Sequence, residues 1–176
     1  MLDELPKGDI LWTMDYSDLH IPKAKGVTMT ITNCICVKHA WNRAGTMIER
    51  EYLDVVCDDK DSNKNDSYFT KATFDKLYSM GHFGPNGTKN IIWTDGGPKH
   101  FKNRYTFRYM VDFFRARNLY GEWHFFESFH GYSLCDSHAG KISQAKTSAE
   151  LSVGCITDAH DLAELLHLKL SNTSVI

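Results

Sequence analysis

Three aspartates stand where a protein of mixed helices and strands can gather reactive groups. Asp15 follows an apolar run, LWTM, and Asp95 follows a second one, IIWT. Asp136 lies in the first turn of a predicted helix that follows the last predicted strand. In open α/β sheets, functional groups collect where strands end and the following loops form a crevice. If the first and fourth strands are neighbours and that helix packs across them, we expect the three carboxylates to converge.

Converged carboxylates repel one another and raise one another's pKa unless cations neutralise them. Their hard oxygen atoms suit Mg²⁺ or Mn²⁺. Two such ions, about 3.5–4 Å apart, can activate a water or a 3′-hydroxyl and stabilise the leaving oxygen of a phosphodiester. The three acids therefore predict phosphoryl transfer with two Mg²⁺ or Mn²⁺ ions as cofactors.

Each aspartate also has a local explanation. Asp15 and Asp95 precede polar or glycine-containing segments that favour turns, and Ser133 with Asp136 fits a capping box. Acidic side chains are common at such places for local reasons. These alternatives stay open for each residue taken alone, and it is the joint placement that favours a shared site.

Composition limits the broad class. The 176 residues, 42% of them hydrophobic, suit one domain over residues 1–176. The chain has 20 basic and 22 acidic residues, so its net charge does not attract nucleic acid, and binding would need a local basic patch. Five cysteines without a CxxC pair predict reduced, mostly buried thiols. Without a signal segment or a run of about 20 apolar residues, we expect a soluble intracellular protein, nuclear in a eukaryotic host, with no membrane partner.

Hydrophobic periodicity predicts an α/β fold with a five-stranded mixed sheet flanked by helices. A three-strand meander comes first, and helices then alternate with strands. The short apolar fourth strand indicates a central parallel strand that is covered on both faces. The predicted strands span 9–16, 27–37, 50–57, 90–94 and 122–129. The predicted helices span 68–80, 99–117, 134–151 and 158–170, around a core at 9–151, with 171–176 frayed.

Two segments carry a family resemblance, TDGGPKHFKNR after the fourth strand and HGYSLCDSHAGK before the third helix. With the order of elements, they resemble the catalytic core of the retroviral-integrase superfamily, in particular DDE/D-type transposases of eukaryotic mobile elements. The resemblance spans about 9–150 and implies a ribonuclease H-like fold. It also implies that Asp15, Asp95 and Asp136 are the catalytic, metal-binding acids. The chain departs from the pattern at Tyr132, where related elements carry a lysine.

Other candidate residues lie beside the acids. His130, in the loop before Asp136, could protonate a leaving group or assist product release, and a structural hydrogen bond is the alternative. Phosphate contact is one interpretation of His138, and a solvated helix face is the other. A small-residue face including Gly140 is predicted to approach the sheet closely. The candidate nucleic-acid contacts are basic residues after the second and third acids: Lys99, His100, Lys102, Arg104 and Lys141.

The resemblance implies a metal-dependent polynucleotidyl transferase or nuclease that cleaves DNA and transfers a strand. Its expected partner is DNA, at transposon ends or a target site, and self-association into a homo-oligomer is compatible with this role. One alternative is a ribonuclease H or exonuclease-like enzyme on the same fold. The other is a domesticated, catalytically inactive descendant that binds DNA or protein.

Overall fold

The computed structural model of the protein describes residues 4–22, 28–58, 67–126, 133–152, 156–171 and 173–176. Six strands and four helices lie within these ranges. The strands are β1 (Ile10–Pro22), β2 (Thr28–Trp41), β3 (Ile48–Asp58), β4 (Lys89–Thr94), β5 (Tyr120–Phe125) and β6 (Thr173–Val175). The helices are α1 (Ser67–Ser79), α2 (Arg104–Ala116), α3 (Leu134–Ser152) and α4 (Ala159–Lys169).

The strands form one mixed sheet in the order β5-β4-β1-β2-β3-β6. Strands β1, β2 and β3 make the expected antiparallel meander, and β4 and β5 add parallel strands beside β1. The sheet has six strands rather than the predicted five, because β6 pairs in parallel with β3. The expectation that the end of the chain frays is therefore wrong for residues 173–176: the Ile176 N–H donates to the Asp54 carbonyl at 2.8 Å.

Strand β1 is longer than its apolar run suggests. It continues beyond Tyr16 to Pro22 because it stays paired with β2 over this length. Leu19 and Ile21 are buried there. Asp15 therefore lies inside β1 and not at its end, which corrects the predicted strand boundary.

Two hydrophobic cores lie on opposite faces of the sheet. Helices α1 and α2 cover one face, where Trp12, Phe74 and Phe113 are almost fully buried. Helices α3 and α4 cover β1, β2 and β3 on the other face, with Ile35 and Leu162 in that core. No helix in the described part of the chain combines the length and apolarity needed to cross a membrane.

Helix α2 begins five residues later than predicted. The Asn103 side chain accepts hydrogen bonds from the backbone N–H groups of Tyr105 (3.1 Å) and Thr106 (3.0 Å), and this cap sets the helix start. Residues 99–103 instead form a turn, in which Phe101 is fully buried. The loop after Asp95 is therefore anchored to the core before the helix begins.

Strand β4 is not covered on both faces, contrary to the prediction for a central parallel strand. Asn90, Ile92 and Thr94 are buried, whereas Ile91 and Trp93 are only half-buried. Alternate residues of a strand point to opposite faces. The half-buried residues belong to the face on which α3 and α4 lie over β1, β2 and β3.

Candidate functional site

Asp15 on β1 and Asp95, directly after β4, occupy matching positions beside the ladder of these two neighbouring parallel strands. Met14 and Thr94 are the last pair of that ladder, and each aspartate is the next residue along its strand. Beyond this point β1 remains paired with β2, where Asp15 lies opposite Ile35. The two aspartates thus lie at the carboxyl end of β4, where the pairing of β1 with β4 stops and only its pairing with β2 continues.

Helix α3 brings Asp136 to the same place. Cys135 is buried under the first turn of the helix, and its Sγ atom lies 3.5 Å from the carbonyl oxygen of Thr13 and 3.6 Å from that of Ile35. Thr13 precedes Asp15 by two residues, and Ile35 pairs with Asp15 in the sheet. The start of α3 is therefore docked beside Asp15.

The capping box at Asp136 is also present. Ser133 donates to Asp136 Oδ2 from its backbone N–H at 2.8 Å and from its hydroxyl at 3.0 Å. In return, the Asp136 N–H donates to Ser133 Oγ at 3.3 Å. Both bonds to the carboxylate involve Oδ2, which leaves Oδ1 available among the described contacts. The cap fixes the side chain and is compatible with a second role for it.

The electrostatics of Asp15 link the three acids. Its pKa is raised from 3.8 to about 6, mainly because the side chain is buried, and the negative charges of Asp95 and Asp136 raise it further. The N–H of Tyr16, 2.8 Å from Asp15 Oδ1, partly offsets this increase. Asp95 and Asp136 therefore both lie close enough to Asp15 for their charges to act on it.

Replacing Asp15 by asparagine should stabilise the protein at neutral pH. The folded protein holds the Asp15 proton up to about pH 6, whereas the ordinary pKa is 3.8. The stability that this proton contributes is fully present below 3.8 and is lost as the pH rises through about 6. The asparagine side chain would keep the acceptor for Tyr16 and carry no charge. Allowing for partial exposure, we expect a gain of about 1–2 kcal/mol, or roughly 3–6 °C in Tm.

Thermal unfolding in EDTA from acidic to neutral pH measures this gain. The gain should disappear below the ordinary pKa, where the aspartate is neutral in both the folded and unfolded states. Asp112→Asn, at an exposed position of α2, is the control and should show no comparable trend. If Asp15→Asn were less stable than the natural protein at neutral pH, the burial and repulsion inferred at Asp15 would be wrong.

The Asp95 carboxylate lies in a close-fitting turn. Its Oδ1 atom is buried and has no hydrogen-bond partner among the described residues. A Cβ atom at Gly97 would lie 2.9 Å from Asp95 Oδ2 and 3.3 Å from Oδ1, closer than carbon normally approaches oxygen. Any side chain at position 97 would therefore displace this carboxylate. Gly97, the second glycine of TDGG, therefore leaves space around Asp95 Oδ1, the oxygen without a hydrogen-bond partner among the described residues.

The ligand atoms of Asp15, Asp95 and Asp136 do not all lie within 4.8 Å of one another. Only one group of three potential ligands among the described residues has all its donor atoms within 4.8 Å of one another: Asp158, His160 and Asp161. Hydrogen bonds at the start of α4 explain that group, because Asp158 caps Asp161 N–H at 3.0 Å and Asp161 accepts from the Thr157 N–H at 2.8 Å. Asp15, Asp95 and Asp136 are spaced more widely than that group, which is expected because like charges repel one another.

His138 is placed differently from both interpretations of the sequence. It is neither a phosphate contact nor part of a solvated face, because it is buried on the side of α3 that packs on the sheet, and its Nε2 lies 2.7 Å from Asp54 Oδ2 of β3. Asn33 donates to Asp54 Oδ1 at 3.0 Å, and the Tyr52 ring stacks on the imidazole at 4.4 Å. Gly140 is exposed, so the small-residue face does not approach the sheet.

The predicted basic contacts fall into two groups. Lys99, Lys102, Arg104 and Lys141 are exposed, as a contact to nucleic acid requires. His100 is half-buried instead: its ring stacks on Tyr16 at 4.5 Å, and its backbone carbonyl accepts from the Thr106 hydroxyl at 2.9 Å. His100 therefore helps to hold the turn after Asp95. His130 and Tyr132 lie outside the described residues.

Sequence reasoning missed two features of this region. Gly97 had a signal, since paired glycines directly after a candidate carboxylate indicate close approach of the backbone. The buried pair of Asp54 and His138 had none, because the two residues are distant in sequence and belong to different elements. Only the packed fold shows that they meet.

Comparison with solved structures finds a likeness to retroviral proteins at low sequence identity. One chain of the simian T-cell lymphotropic virus intasome, solved in complex with PP2A regulatory subunit B56 gamma, is 12% identical with a TM-score of 0.51. The match covers 91% of this chain and 47% of that one, so the chain spans about half the length of its relative. This likeness fits a ribonuclease H-like fold.

A second structure, the catalytic core domain of BIV integrase, is 13% identical with a TM-score of 0.42. That match covers 90% of this chain and 82% of that one. No curated protein matches the sequence. A family profile matches residues 29–176, which include Asp95 and Asp136 and begin after Asp15. The chain therefore belongs to the family described as Domain of unknown function (DUF8701).

Proposed function

We propose that the chain is a divalent-metal-dependent polynucleotidyl transferase or nuclease domain of the transposase type. It would cleave DNA and transfer the resulting strand. The observation that carries the proposal is the placement of Asp95 and Asp136 near Asp15, close enough for their charges to raise its pKa, at the point where the β1–β4 ladder ends. The fold shared with an intasome chain supports it as an analogy.

The residues fit a divalent cation. All three offer carboxylate oxygens, the donors that Mg²⁺ and Mn²⁺ prefer. The buried Oδ1 of Asp95 has no partner among the described residues, and a buried oxygen of this kind is costly unless something binds it. Asp15 and Asp95 would serve as ligands from the sheet, and Asp136 from α3.

When bound, Mg²⁺ or Mn²⁺ would neutralise these carboxylates and stabilise the charge that develops on a phosphodiester during phosphoryl transfer. The protein's part is to hold the acids in place. The Tyr16 N–H orients Asp15, Ser133 orients Asp136, and the space at Gly97 preserves the position of Asp95. Exposed Lys99 would contact the phosphate backbone.

Titration with Mn²⁺ and Mg²⁺ tests the site without requiring activity. We expect both calorimetry and thermal shift to detect binding, with about 2.7 kcal/mol of added stability at a concentration 100 times Kd. Asp95→Asn should abolish most of this effect. Asp158→Asn is the matched control, because asparagine retains the helix cap and removes one carboxylate from the group at α4.

Absence of binding by the natural protein would overturn the metal-dependent proposal and favour a non-enzymatic descendant that binds DNA or protein. Loss of binding in Asp158→Asn but not in Asp95→Asn would place the ion at α4. If the natural protein binds the metal, cleavage assays with DNA and with RNA–DNA hybrid substrates distinguish a transposase from a ribonuclease H. Strand-joining products that depend on paired DNA ends indicate a transposase, and cleavage confined to RNA indicates a ribonuclease H.

A further inference from the structure

An aromatic surface lies beside the candidate site and belongs to neither hydrophobic core. It consists of Ile91 and Trp93 on β4, His124 on β5 and Phe126 directly after β5. We call these four residues the Trp93 face. All are half-buried, and none is a member of either core cluster. Contiguous apolar surface left in this state usually has a partner.

The rings of the Trp93 face form an ordered stack. Trp93 and His124 are direct partners in the β4–β5 ladder. Their ring centroids are 4.7 Å apart, and the planes differ by only 16°. Phe126 extends the group, with its centroid 5.4 Å from that of Trp93. Sheet pairing therefore holds a flat ring surface in place.

This surface adjoins the carboxylates. Trp93 is the penultimate residue of β4, and Asp95 follows directly after that strand, two residues further along the chain. The exposed Lys102 lies at the same end of the sheet but on its opposite face, where its Nζ is 5.2 Å from the centroid of Phe125, which packs on the α2 side. The flat rings and the candidate metal-binding carboxylate of Asp95 thus occur side by side.

We propose that the Trp93 face is a stacking platform for an unpaired nucleobase next to the phosphodiester held by the aspartates. This inference rests on the proposed function for the position of the backbone. Stacking suits every base because each has a π-face, and it commonly joins positive charge in proteins that bind single strands. The platform would therefore select single-stranded or locally opened nucleic acid with little preference for sequence.

Binding of labelled oligonucleotides in EDTA tests the platform separately from catalysis. One probe is a single strand of about 12 thymidines, and the other has the same length and phosphates but only abasic positions. We expect the natural protein to bind the thymidine strand about tenfold more tightly. Trp93→Leu should lose that preference, whereas Trp93→Phe should keep most of it.

Trp41→Leu is the matched control, since Trp41 is also half-buried but lies at the far end of β2, opposite Ile48 of β3 and away from Asp15. It should retain the preference. Circular dichroism must show that each variant is folded, and Trp93→Phe keeps the test valid if Trp93→Leu is not. Equal binding of both probes, or an unchanged preference in Trp93→Leu, would overturn the platform.

Sedimentation distinguishes a stacking platform from a dimer interface at the Trp93 face. If the natural protein is a dimer that Trp93→Leu dissociates, a second copy covers the Trp93 face and the platform is wrong. The two proposals can also fail separately. A base preference without metal-dependent cleavage would leave the platform standing and remove the proposed function, and cleavage without a base preference would do the reverse.

Discussion

Replacing Asp95 by asparagine is expected to lower the proposed metal-dependent DNA cleavage by about 1,000-fold or more. Its carboxylate has the clearest need for a cation, because Oδ1 is buried without a partner in the described structure. A metal contributes several kcal/mol of stabilisation to the transition state of phosphoryl transfer, and about 4 kcal/mol corresponds to 1,000-fold in rate. Asparagine keeps the shape of the side chain and removes its charge.

Cleavage of a supercoiled plasmid in Mn²⁺, followed by gel electrophoresis, measures this loss. Asp158→Asn should cleave like the natural protein, because its carboxylate belongs to the cap of α4. Unfolding curves of both variants separate a loss of chemistry from a loss of fold. Cleavage by Asp95→Asn at the natural rate would mean that the activity, if any, resides at other residues.

Replacing Asp54 by alanine should cost about 3–5 kcal/mol of folding stability. Asp54 is fully buried and accepts bonds from Asn33 and pairs with His138. Its removal leaves an imidazole and an amide in the core without their acceptor, and each such buried group is expensive. Because domains of this size are stable by only about 5–15 kcal/mol, the variant should unfold at much lower denaturant concentration.

Urea unfolding gives the comparison, with Asp112→Ala as control. The Arg108–Asp112 pair is exposed, with a distance of 2.9 Å between Arg108 Nε and Asp112 Oδ2, and exposed pairs contribute little. We therefore expect a change below about 0.5 kcal/mol for Asp112→Ala. A similar small change in Asp54→Ala would show that the buried pair does not hold α3 on the sheet.

The order of strands and helices along the chain followed from local patterns, since most of these elements could be recognised from their own periodicity. The boundaries were less certain where a polar residue stands inside an element. Asp15 interrupts an apolar run, yet β1 continues because β2 supplies hydrogen-bond partners as far as Pro22. Leu19 and Ile21, which alternate with polar residues, were the available signal for this continuation.

Contacts between distant segments account for what local patterns missed. Strand β6 has three residues, and its pairing depends on the free edge of β3. Trp93 belongs to an apolar run that is typical of a strand covered on both faces. Only the placement of α3 and α4 over other strands shows that it is half-exposed. Local sequence patterns thus pointed to the three aspartates as candidate site residues, but they did not predict which side chains surround them.

The double pairing of β1 has a consequence for the order in which the site forms. The β1–β2 hairpin joins segments close in sequence, whereas the β1–β4 ladder joins Met14 to Thr94 across the meander and α1. Ladders of such long range generally form late in folding. Asp15 and Asp95 become neighbours only when this ladder is complete. A cation that binds both would therefore shift the population toward the fully folded chain and resist partial opening between β1 and β4.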